Sequence, residues 1–409
     1  MITALYADEK GEIFDAPGFA GMGRSGRENI LLKPEDLIPL PESADLMFLP
    51  DCLAVGIQYG KVTPIEGRAV AAILPAGYTR IYMPAYNRAE KAERLPLYGY
   101  TAVVLYKDEL YTAALYTDEN DKWDPVHYNT HDLKKLVSRT RKELKGNRIV
   151  EQVGNCSLQW HCCTAQNLFY RRWEAGIPTS PICNANCFGC ISLQPAECCP
   201  SPQSRIKFRP TPEEIAEVGV YHLATAPDAI ISFGQGCEGE PSLAADNIAA
   251  GMKIIRSKTH KGQININTNA GYTEGIKKIV DAGLDTMRVS IISGLPDSYK
   301  AYYRSNYELD DVIESIRYAG VHNVYISLNM LYFPGFNDQE KELAAWKSFL
   351  REAPVAMIQV RNLNIDPDAF VEIMPMAKSK AIGTKRFLRE LHEEFPQLII
   401  GSFSHYIEK

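Results

Sequence analysis

Short apolar runs alternate with amphipathic helical stretches along the second half of the chain. Strands that alternate with helices in this way predict a parallel sheet with right-handed crossovers. With a short strand before Cys183, the pattern predicts about six βα units, that is, a partial barrel. In barrel folds the active site lies at the C-terminal ends of the strands. The apolar runs occupy residues 229–233, 264–267, 287–292, 324–331 and 356–363.

The ends of several helices in this region are also indicated. Thr211, Pro212 and Glu214 form a capping box with proline at the first helical position. An Ala-Gly pair predicts the end of one helix at Gly283 and of another at Gly320. These signals support the alternation of strands and helices.

The first part of the chain has a different pattern. Two β-rich runs at 100–106 and 109–117 are joined by a short polar turn, which predicts a β-hairpin. Residues 132–145 have the pattern of an amphipathic helix, with Thr130 as its cap and Gly146 as its end. No catalytic group of residues is recognisable in this region.

These patterns predict an α/β fold with three segments. Residues 1–150 form a β-rich N-terminal accessory domain, and residues 151–176 form a cysteine-containing connector. Residues 177–409 form the partial (β/α)6 barrel with a C-terminal extension. A chain of 409 residues is long enough for one barrel and an accessory part.

Composition excludes some classes of function. The net charge is −6, so no basic field favours tight binding to nucleic acid. The N-terminus has no signal-peptide pattern, and no run of about 18 apolar residues occurs, so we expect a cytoplasmic protein without a membrane partner. In that compartment the ten cysteines are expected to be thiols or metal ligands rather than disulfides.

Cys183, Cys187 and Cys190 follow a predicted strand with the spacing Cys-x3-Cys-x2-Cys. Thiolates at such intervals select iron-sulfur clusters or zinc over hard cations. A cubane 4Fe-4S cluster normally takes four cysteines, so three of them leave one iron open to another ligand. The alternative is a structural zinc site, for example one in which Cys198 and Cys199 supply a second pair.

The cysteine motif resembles that of the radical S-adenosylmethionine (radical SAM) superfamily, and the loop after the next strand strengthens the resemblance. Gly239, Glu240 and Pro241 are similar to the family's Gly-Gly-Glu-Pro motif, with Glu238 in place of the first glycine. In that family the loop holds the ammonium group of the cofactor's methionine. Glycine allows close approach of the backbone, and a carboxylate accepts charge-assisted hydrogen bonds from ammonium.

Three further segments resemble the family in the expected order, so that the resemblance covers about residues 177–365. Asn269 lies in a segment similar to the end of the family's third strand. Arg288 and Ser290, at the next strand, are candidates for the cofactor's ribose or carboxylate. Pro334 and Gly335 resemble the segment that lies beside the adenine.

The resemblance implies an enzyme with a 4Fe-4S cluster, S-adenosylmethionine and a low-potential electron donor of the ferredoxin or flavodoxin type. One electron from the cluster cleaves the cofactor, and the resulting 5'-deoxyadenosyl radical takes a hydrogen atom from a substrate. The substrate is open: glycyl-radical activases, peptide or protein modifiers and small-molecule enzymes share these motifs. The size of the N-terminal domain favours recognition of a peptide or protein. The alternative is a non-catalytic iron-sulfur or zinc protein on a βα barrel.

The other cysteines allow several interpretations. A second iron-sulfur cluster or another metal, local packing of small apolar side chains, and a redox or sulfur-transfer function all remain open. Cys237 is interpreted as an ordinary loop residue and Cys52 as structural. The candidate ligands of an auxiliary metal are Cys156, Cys162, Cys163, Cys198 and Cys199.

Overall fold

The protein divides into two compact units in its structure, a computed structural model. The first unit comprises Met1–Asp124, Leu331–Lys347 and Val360–Phe403. The second comprises Pro125–Met330, Ser348–Gln359 and Ser404–Lys409. The domain boundaries predicted at 150 and 176 stay a prediction. The structure describes residues 1–95, 97–119, 121–193, 203–376 and 381–408.

The N-terminal part of the first unit is rich in β-structure, as predicted. Its largest sheet has eight strands in the order β10-β6-β2-β1-β7-β11-β12-β5, and the pairings reported for it are antiparallel. Val70, Ala72 and Val103 are buried in its core. The strands are β1 Thr3–Ala7, β2 Ile13–Ala20, β3 Met22–Ser25, β4 Glu28–Leu31, β5 Ile38–Pro39, β6 Asp45–Gln58, β7 Lys61–Ile73, β8 Tyr78–Arg80, β9 Met83–Pro84, β10 Tyr86–Arg88, β11 Tyr100–Tyr106, β12 Glu109–Thr112 and β13 Ala114–Tyr116.

The predicted hairpin is confirmed in β11 and β12. Tyr106 pairs with Glu109, which leaves a two-residue turn. The turn residues Lys107 and Asp108 both have positive φ, 53° and 62°. Two residues with positive φ give a type I′ turn, whose twist matches that of the flanking strands.

The rest of the chain alternates strands with helices. A seven-stranded sheet runs in chain order from β14 to β20. The elements are α1 Leu133–Glu143, α2 Arg148–Gln159, α3 Cys163–Tyr170, β14 Glu174–Gly176, α4 Pro212–Thr225, β15 Ile230–Phe233, α5 Ala245–Lys258, β16 Gln263–Thr268, α6 Thr273–Asp281, β17 Thr286–Ile291, α7 Pro296–Tyr303, α8 Leu309–Val321, β18 Tyr325–Tyr332, α9 Glu340–Glu352, β19 Met357–Asn362, α10 Pro367–Ile373, α11 Thr384–Glu394 and β20 Ile399–Gly401.

The predicted α/β class and partial barrel are confirmed. Each strand from β14 to β17 pairs in parallel with the next one along the chain. The ends of the five apolar runs differ from those of β15 to β19 by at most one residue. The capping box of Thr211 and Glu214 is present at the start of α4.

Three local predictions are corrected. The first barrel strand is β14, which ends seven residues before Cys183, so the cysteines follow a loop and not the strand itself. Helix α1 has Asp132 at its N-cap, and the Thr130 hydroxyl donates to the Asp132 carboxylate instead of capping the helix. Helix α8 continues through Gly320 to Val321, and Asn323 takes the positive φ that ends it.

The two faces of the parallel sheet differ in polarity. One face is apolar and fully buried, as is usual where helices cover a sheet. The opposite face carries polar side chains in register: Ser232 beside Asn265, and Asn267 beside Arg288. A face of this kind within a barrel suits a polar ligand. The apolar face is formed by Ile231, Phe233, Ile264, Ile266, Met287, Val289, Ile291, Ile326, Leu328 and Met330.

Candidate active site

The three motif cysteines lie on the loop between β14 and α4 and are partly exposed. A thiolate at one of these positions would raise the pKa of another, which indicates that the three sulfur atoms are neighbours. Burial, followed by the charge of Glu240, raises the pKa of Cys183 to about 11. Burial also raises the pKa of Cys187. Cys183 and Cys187 are therefore protonated near neutral pH in the free protein, and a metal cluster that binds their thiolates must displace those protons.

The end of α7 holds the cysteine loop from one side. The backbone N–H of Asn186 donates to the carbonyl oxygen of Tyr303 at 3.0 Å. The N–H of Phe188 donates to the carbonyl of Tyr302, also at 3.0 Å. Both tyrosines are buried, so these anchors are protected from water.

Glu238, the residue that departs from the family motif, is buried and forms hydrogen bonds to two separate segments. Its Oε2 accepts from the N–H of Thr179 (2.6 Å), the hydroxyl of Thr179 (2.9 Å) and the N–H of Ser180 (2.8 Å). Its Oε1 accepts from the N–H groups of Gly234 and Gln235, at 2.6 and 3.1 Å. Burial raises the pKa of Glu238 to about 7. One carboxylate thus joins the segment before the cysteines to the loop after β15.

Gly239 brings the same two segments into direct contact. Its N–H donates to the carbonyl of Ser180 at 2.7 Å, and the N–H of Glu240 donates to the carbonyl of Ile182 at 2.9 Å. A Cβ atom at Gly239 would stand 2.0 Å from the carbonyl oxygen of Ile182. Because no side chain fits there, glycine is required for this approach.

The carboxylate of Glu240 is directed toward the end of β16. It accepts from the hydroxyl of Thr268 at 2.5 Å and from the N–H groups of Asn269 and Ser242, at 2.8 and 3.0 Å. Burial raises its pKa. The Nδ2 group of Asn269 in turn donates to Oδ1 of Asn184, 2.7 Å away, which lies inside the cysteine motif. The structure therefore brings Glu240 and Asn269 together with the cysteine loop.

Arg288 and Ser290 lie on the polar face of β17. Arg288 Nη1 donates to Gln359 Oε1 and Ser404 Oγ, each at 3.2 Å. Burial lowers the pKa of Arg288. Its Nε and the Nδ2 of neighbouring Asn267 are buried without a hydrogen-bond partner among the described residues. Ser290 Oγ accepts from Asn329 at 3.2 Å. Buried donors without a partner are costly, and a polar ligand would satisfy them.

Pro334 and Gly335 belong to the first compact unit, whereas the other predicted site residues belong to the second. The N–H of Gly26 donates to the carbonyl of Pro334 at 2.9 Å. Gly335 has φ of 86°, and a Cβ there would meet the backbone of Gly26 at 2.2 Å. A contact between this pair and the cofactor stays a prediction.

The auxiliary cysteines are only partly gathered. Buried Cys156 forms a hydrogen bond with buried Cys237, which lowers the pKa of Cys156 and raises that of Cys237. Burial raises the pKa of nearby Cys162 to about 11. The thiol of Cys163 contacts the carbonyl of His161 at 3.9 Å. The remaining candidates, Cys198 and Cys199, lie outside the described residues.

No set of three or more His, Cys, Asp and Glu side chains within the described ranges is arranged to hold a metal ion. A cubane cluster has a different requirement, because each of its thiolate ligands binds a separate iron. Three neighbouring thiols on one loop fit a cluster that has one open iron. Asn269 is hydrogen-bonded to this loop through Asn184, and its N–H donates to Glu240. The unpaired donors of Arg288 and Asn267 fit a polar cofactor or substrate.

Several residues at this site were missed in the sequence. Glu238 was visible only as a substitution of glycine, and Asn184 only as a polar residue inside the motif. Thr268 ends β16, where a polar side chain is expected in any barrel. The backbone anchors at Tyr302 and Tyr303 left no signal, because any residue can supply a carbonyl oxygen.

Together the fold and the site define an α/β partial-barrel protein with a thiol-rich loop on its first βα connection. Residues 177–346 match the family model of the radical SAM superfamily. The match assigns this segment to that superfamily, as the motifs predicted. Members of the superfamily are enzymes that use S-adenosylmethionine, and an iron-sulfur cluster is typical of them.

Two curated proteins are similar to part of the chain. "Uncharacterized protein MJ0804" of Methanocaldococcus jannaschii is 25% identical over 185 residues, 44% of this chain and 56% of that protein. GTP 3',8-cyclase of Lactiplantibacillus plantarum is 24% identical over 209 residues, 50% of this chain and 55% of that protein. The chain thus spans little more than half the length of these relatives.

Similar solved structures include methylornithine synthase (PylB), with a TM-score of 0.39 and 14% identity over 66% of this chain and 74% of that one. Streptococcus suis SuiB bound to its precursor peptide SuiA has a TM-score of 0.40 and 12% identity over 76% of this chain and 71% of that one. These likenesses are too weak to assign a function. Separately, none of the described helices is long and apolar enough to cross a membrane.

Proposed function

We propose that the protein is a radical SAM enzyme in which Cys183, Cys187 and Cys190 hold a 4Fe-4S cluster with one open iron. The observation that carries the proposal is a chain of hydrogen bonds at the cysteine loop. Asn269 donates to Asn184, which lies inside the cysteine motif, and also donates to Glu240. It lies within the segment that matches the superfamily. When bound, the cluster and S-adenosylmethionine supply an electron and a 5'-deoxyadenosyl radical that abstracts hydrogen from the substrate.

The chain's own residues bind and orient the cofactor in this proposal. The loop of Gly239, Glu240 and Pro241 receives the methionine ammonium group, since the charge of the Glu240 carboxylate acts on Cys183 and Cys187. Asn269 lies beside this loop and fixes its position. Arg288 and Ser290 take the ribose or the carboxylate.

Pro334 and Gly335 lie beside the adenine in this proposal. The polar face of the sheet receives the remaining polar part of the cofactor or a polar substrate. A low-potential donor of the ferredoxin or flavodoxin type reduces the cluster, and the substrate is a peptide or protein recognised through the N-terminal β-rich domain. These assignments extend the family resemblance to positions of this chain.

Anaerobic reconstitution tests the proposal. Iron and sulfide are added, followed by dithionite and S-adenosylmethionine, and 5'-deoxyadenosine is measured by mass spectrometry. Alanine at Cys183, Cys187 or Cys190 is expected to abolish the product, whereas Cys52→Ala, a buried cysteine of the first unit, retains it. A fully loaded wild-type protein that forms no 5'-deoxyadenosine would contradict the proposal. Zinc without labile sulfide in protein purified without oxygen would favour the non-catalytic alternative.

The substrate is sought by hydrogen exchange with the cofactor. Candidate peptides and metabolite mixtures are incubated with the reconstituted enzyme in deuterated and ordinary forms. The true substrate is expected to transfer deuterium to 5'-deoxyadenosine. Transfer from small metabolites alone, with none from peptides or proteins, would contradict the proposed peptide or protein substrate.

A further inference from the structure

The guanidinium group of Arg205 donates to a sulfur of the motif cysteines. Its Nη2 lies 3.6 Å from Sγ of Cys190 and 2.9 Å from Oγ of Ser192. Its Nε lies 3.0 Å from the same Ser192 oxygen. The serine hydroxyl donates to the carbonyl oxygen of Glu238 at 3.0 Å and is buried. The guanidinium is thus fixed by two bonds to one oxygen.

This arrangement places a permanent positive charge at the cysteine loop. An arginine side chain stays protonated throughout the accessible pH range. Its charge also reaches Cys183, where it opposes the effect of Glu240. Arg205 is partly buried, so water screens this charge less than it screens an exposed one.

The charge and the N–H···S bond act in the same direction on a bound cluster. Reduction adds one negative charge, and a nearby cation with a donor to a ligating sulfur stabilises the more negative state. Hydrogen bonds to the sulfurs and the net charge around a cluster are known determinants of its reduction potential. The N–H donor to Cys190 lies outside the family motif, because Arg205 follows Cys190 by 15 positions.

We propose that Arg205, oriented by Ser192, raises the reduction potential of the cluster held by Cys183, Cys187 and Cys190. This inference rests on the proposed function. The step is the transfer of one electron from a low-potential donor to the oxidised cluster, with no bond made or broken in the protein. Arg205 is a positioning residue, since it acts through the sulfur of Cys190.

Potentiometric titration of the reconstituted protein, followed by electron paramagnetic resonance, tests the inference. Arg205→Gln is expected to shift the midpoint potential to a more negative value. Arg205→Lys keeps the charge and is expected to shift it less. Lys207→Gln removes one exposed positive charge two positions away and is expected to leave the potential unchanged. Iron per chain is measured in every variant.

Ser192→Ala provides a second measurement in case Arg205→Gln does not bind the cluster. It keeps the arginine but removes the oxygen that orients it, and is expected to give a smaller shift in the same direction. An unchanged reduction potential in Arg205→Gln would overturn the inference. So would wild-type potentials in both Arg205→Lys and Ser192→Ala when these variants contain the cluster. A wild-type protein that binds no cluster would instead overturn the proposed function.

Discussion

The carboxylate of Glu238 binds Thr179 twice, through the backbone N–H at 2.6 Å and the side-chain hydroxyl at 2.9 Å. The two residues stand on different loops of the barrel, and the bonds are buried. Glu238 stands where the motif that this loop resembles has its first glycine. Through its hydrogen bonds, Glu238 connects the loop that precedes the cysteines to the loop that follows β15.

Glu238→Gln tests whether these hydrogen bonds stabilise the two loops. Glutamine has one acceptor oxygen and turns an NH2 group toward N–H donors, so several buried donors lose their partner. We expect the free energy of unfolding to fall by at least about 2 kcal/mol and iron per chain after reconstitution to fall with it. Anaerobic denaturant titration and iron analysis measure both. Glu213→Gln, at an exposed position, serves as the control. Equal free energies of unfolding and equal iron contents in the two variants would argue against a stabilising role of the Glu238 hydrogen bonds.

Gly239→Ala tests the contact between the two loops. The added Cβ would lie 2.0 Å from the carbonyl of Ile182, so the backbone must move and the cysteine loop with it. We expect lower iron content and reduced formation of 5'-deoxyadenosine. Gly99→Ala is the matched control, because its Cβ would stand 3.6 Å from Asn364, an ordinary contact. Full iron content in Gly239→Ala would show that the loop tolerates displacement.

Glu240→Gln separates cofactor binding from loop support. Loss of one charge-assisted interaction is worth about 1.5 to 3 kcal/mol, which corresponds to a rise of roughly ten- to a hundredfold in the KM for S-adenosylmethionine. Thr268→Val removes one donor to Glu240 and keeps the charge, so a smaller rise is expected. Steady-state cleavage assays measure both. Loss of iron from Glu240→Gln at unchanged KM would assign Glu240 to the loop alone.

His222 predicts how stability depends on pH. Its neutral ring donates from Nε2 to the carbonyl of Trp173 at 3.0 Å, and burial lowers its pKa to about 4. The unfolded chain has a histidine pKa of about 6.5, so between these values only the unfolded state binds the proton. The free energy of unfolding therefore falls as pH falls through this window, by up to about 1.4 kcal/mol per pH unit.

His222→Gln keeps the donor and removes the titration. Denaturant titrations between the two pKa values are expected to show a weaker fall in stability for this variant than for the wild type. His260→Gln, at an exposed histidine, is expected to keep the wild-type dependence. Parallel curves for wild type and His222→Gln would mean that His222 contributes nothing.

Iron counting decides whether a second cluster exists. If Cys198 and Cys199 ligate one, the double alanine variant loses roughly two to four irons per chain. Cys52→Ala is the control. Unchanged iron in the double variant, together with unchanged iron in Cys156→Ala, would indicate that these cysteines only pack.

The sequence by itself determined the alternation of strands and helices in the second half of the chain and the candidate cluster ligands. The apolar runs located the ends of β15 to β19 within one residue, because each run is a local pattern that burial on both faces requires. The spacing of Cys183, Cys187 and Cys190 is likewise local. The β-hairpin of β11 and β12 was also predicted from a local pattern, because a short polar turn separates its two β-rich runs.

Only the tertiary structure decided which distant residues support the cysteine loop. Glu238 meets Thr179 across 59 positions, Asn269 meets Asn184 across 85, and Arg205 meets Cys190 across 15. Such contacts depend on where parallel strands end in space, and carboxylates, amides and guanidinium groups carry no local signal of their partner. The sequence therefore indicated the cluster ligands, and the fold supplied the buried bonds and charges around them.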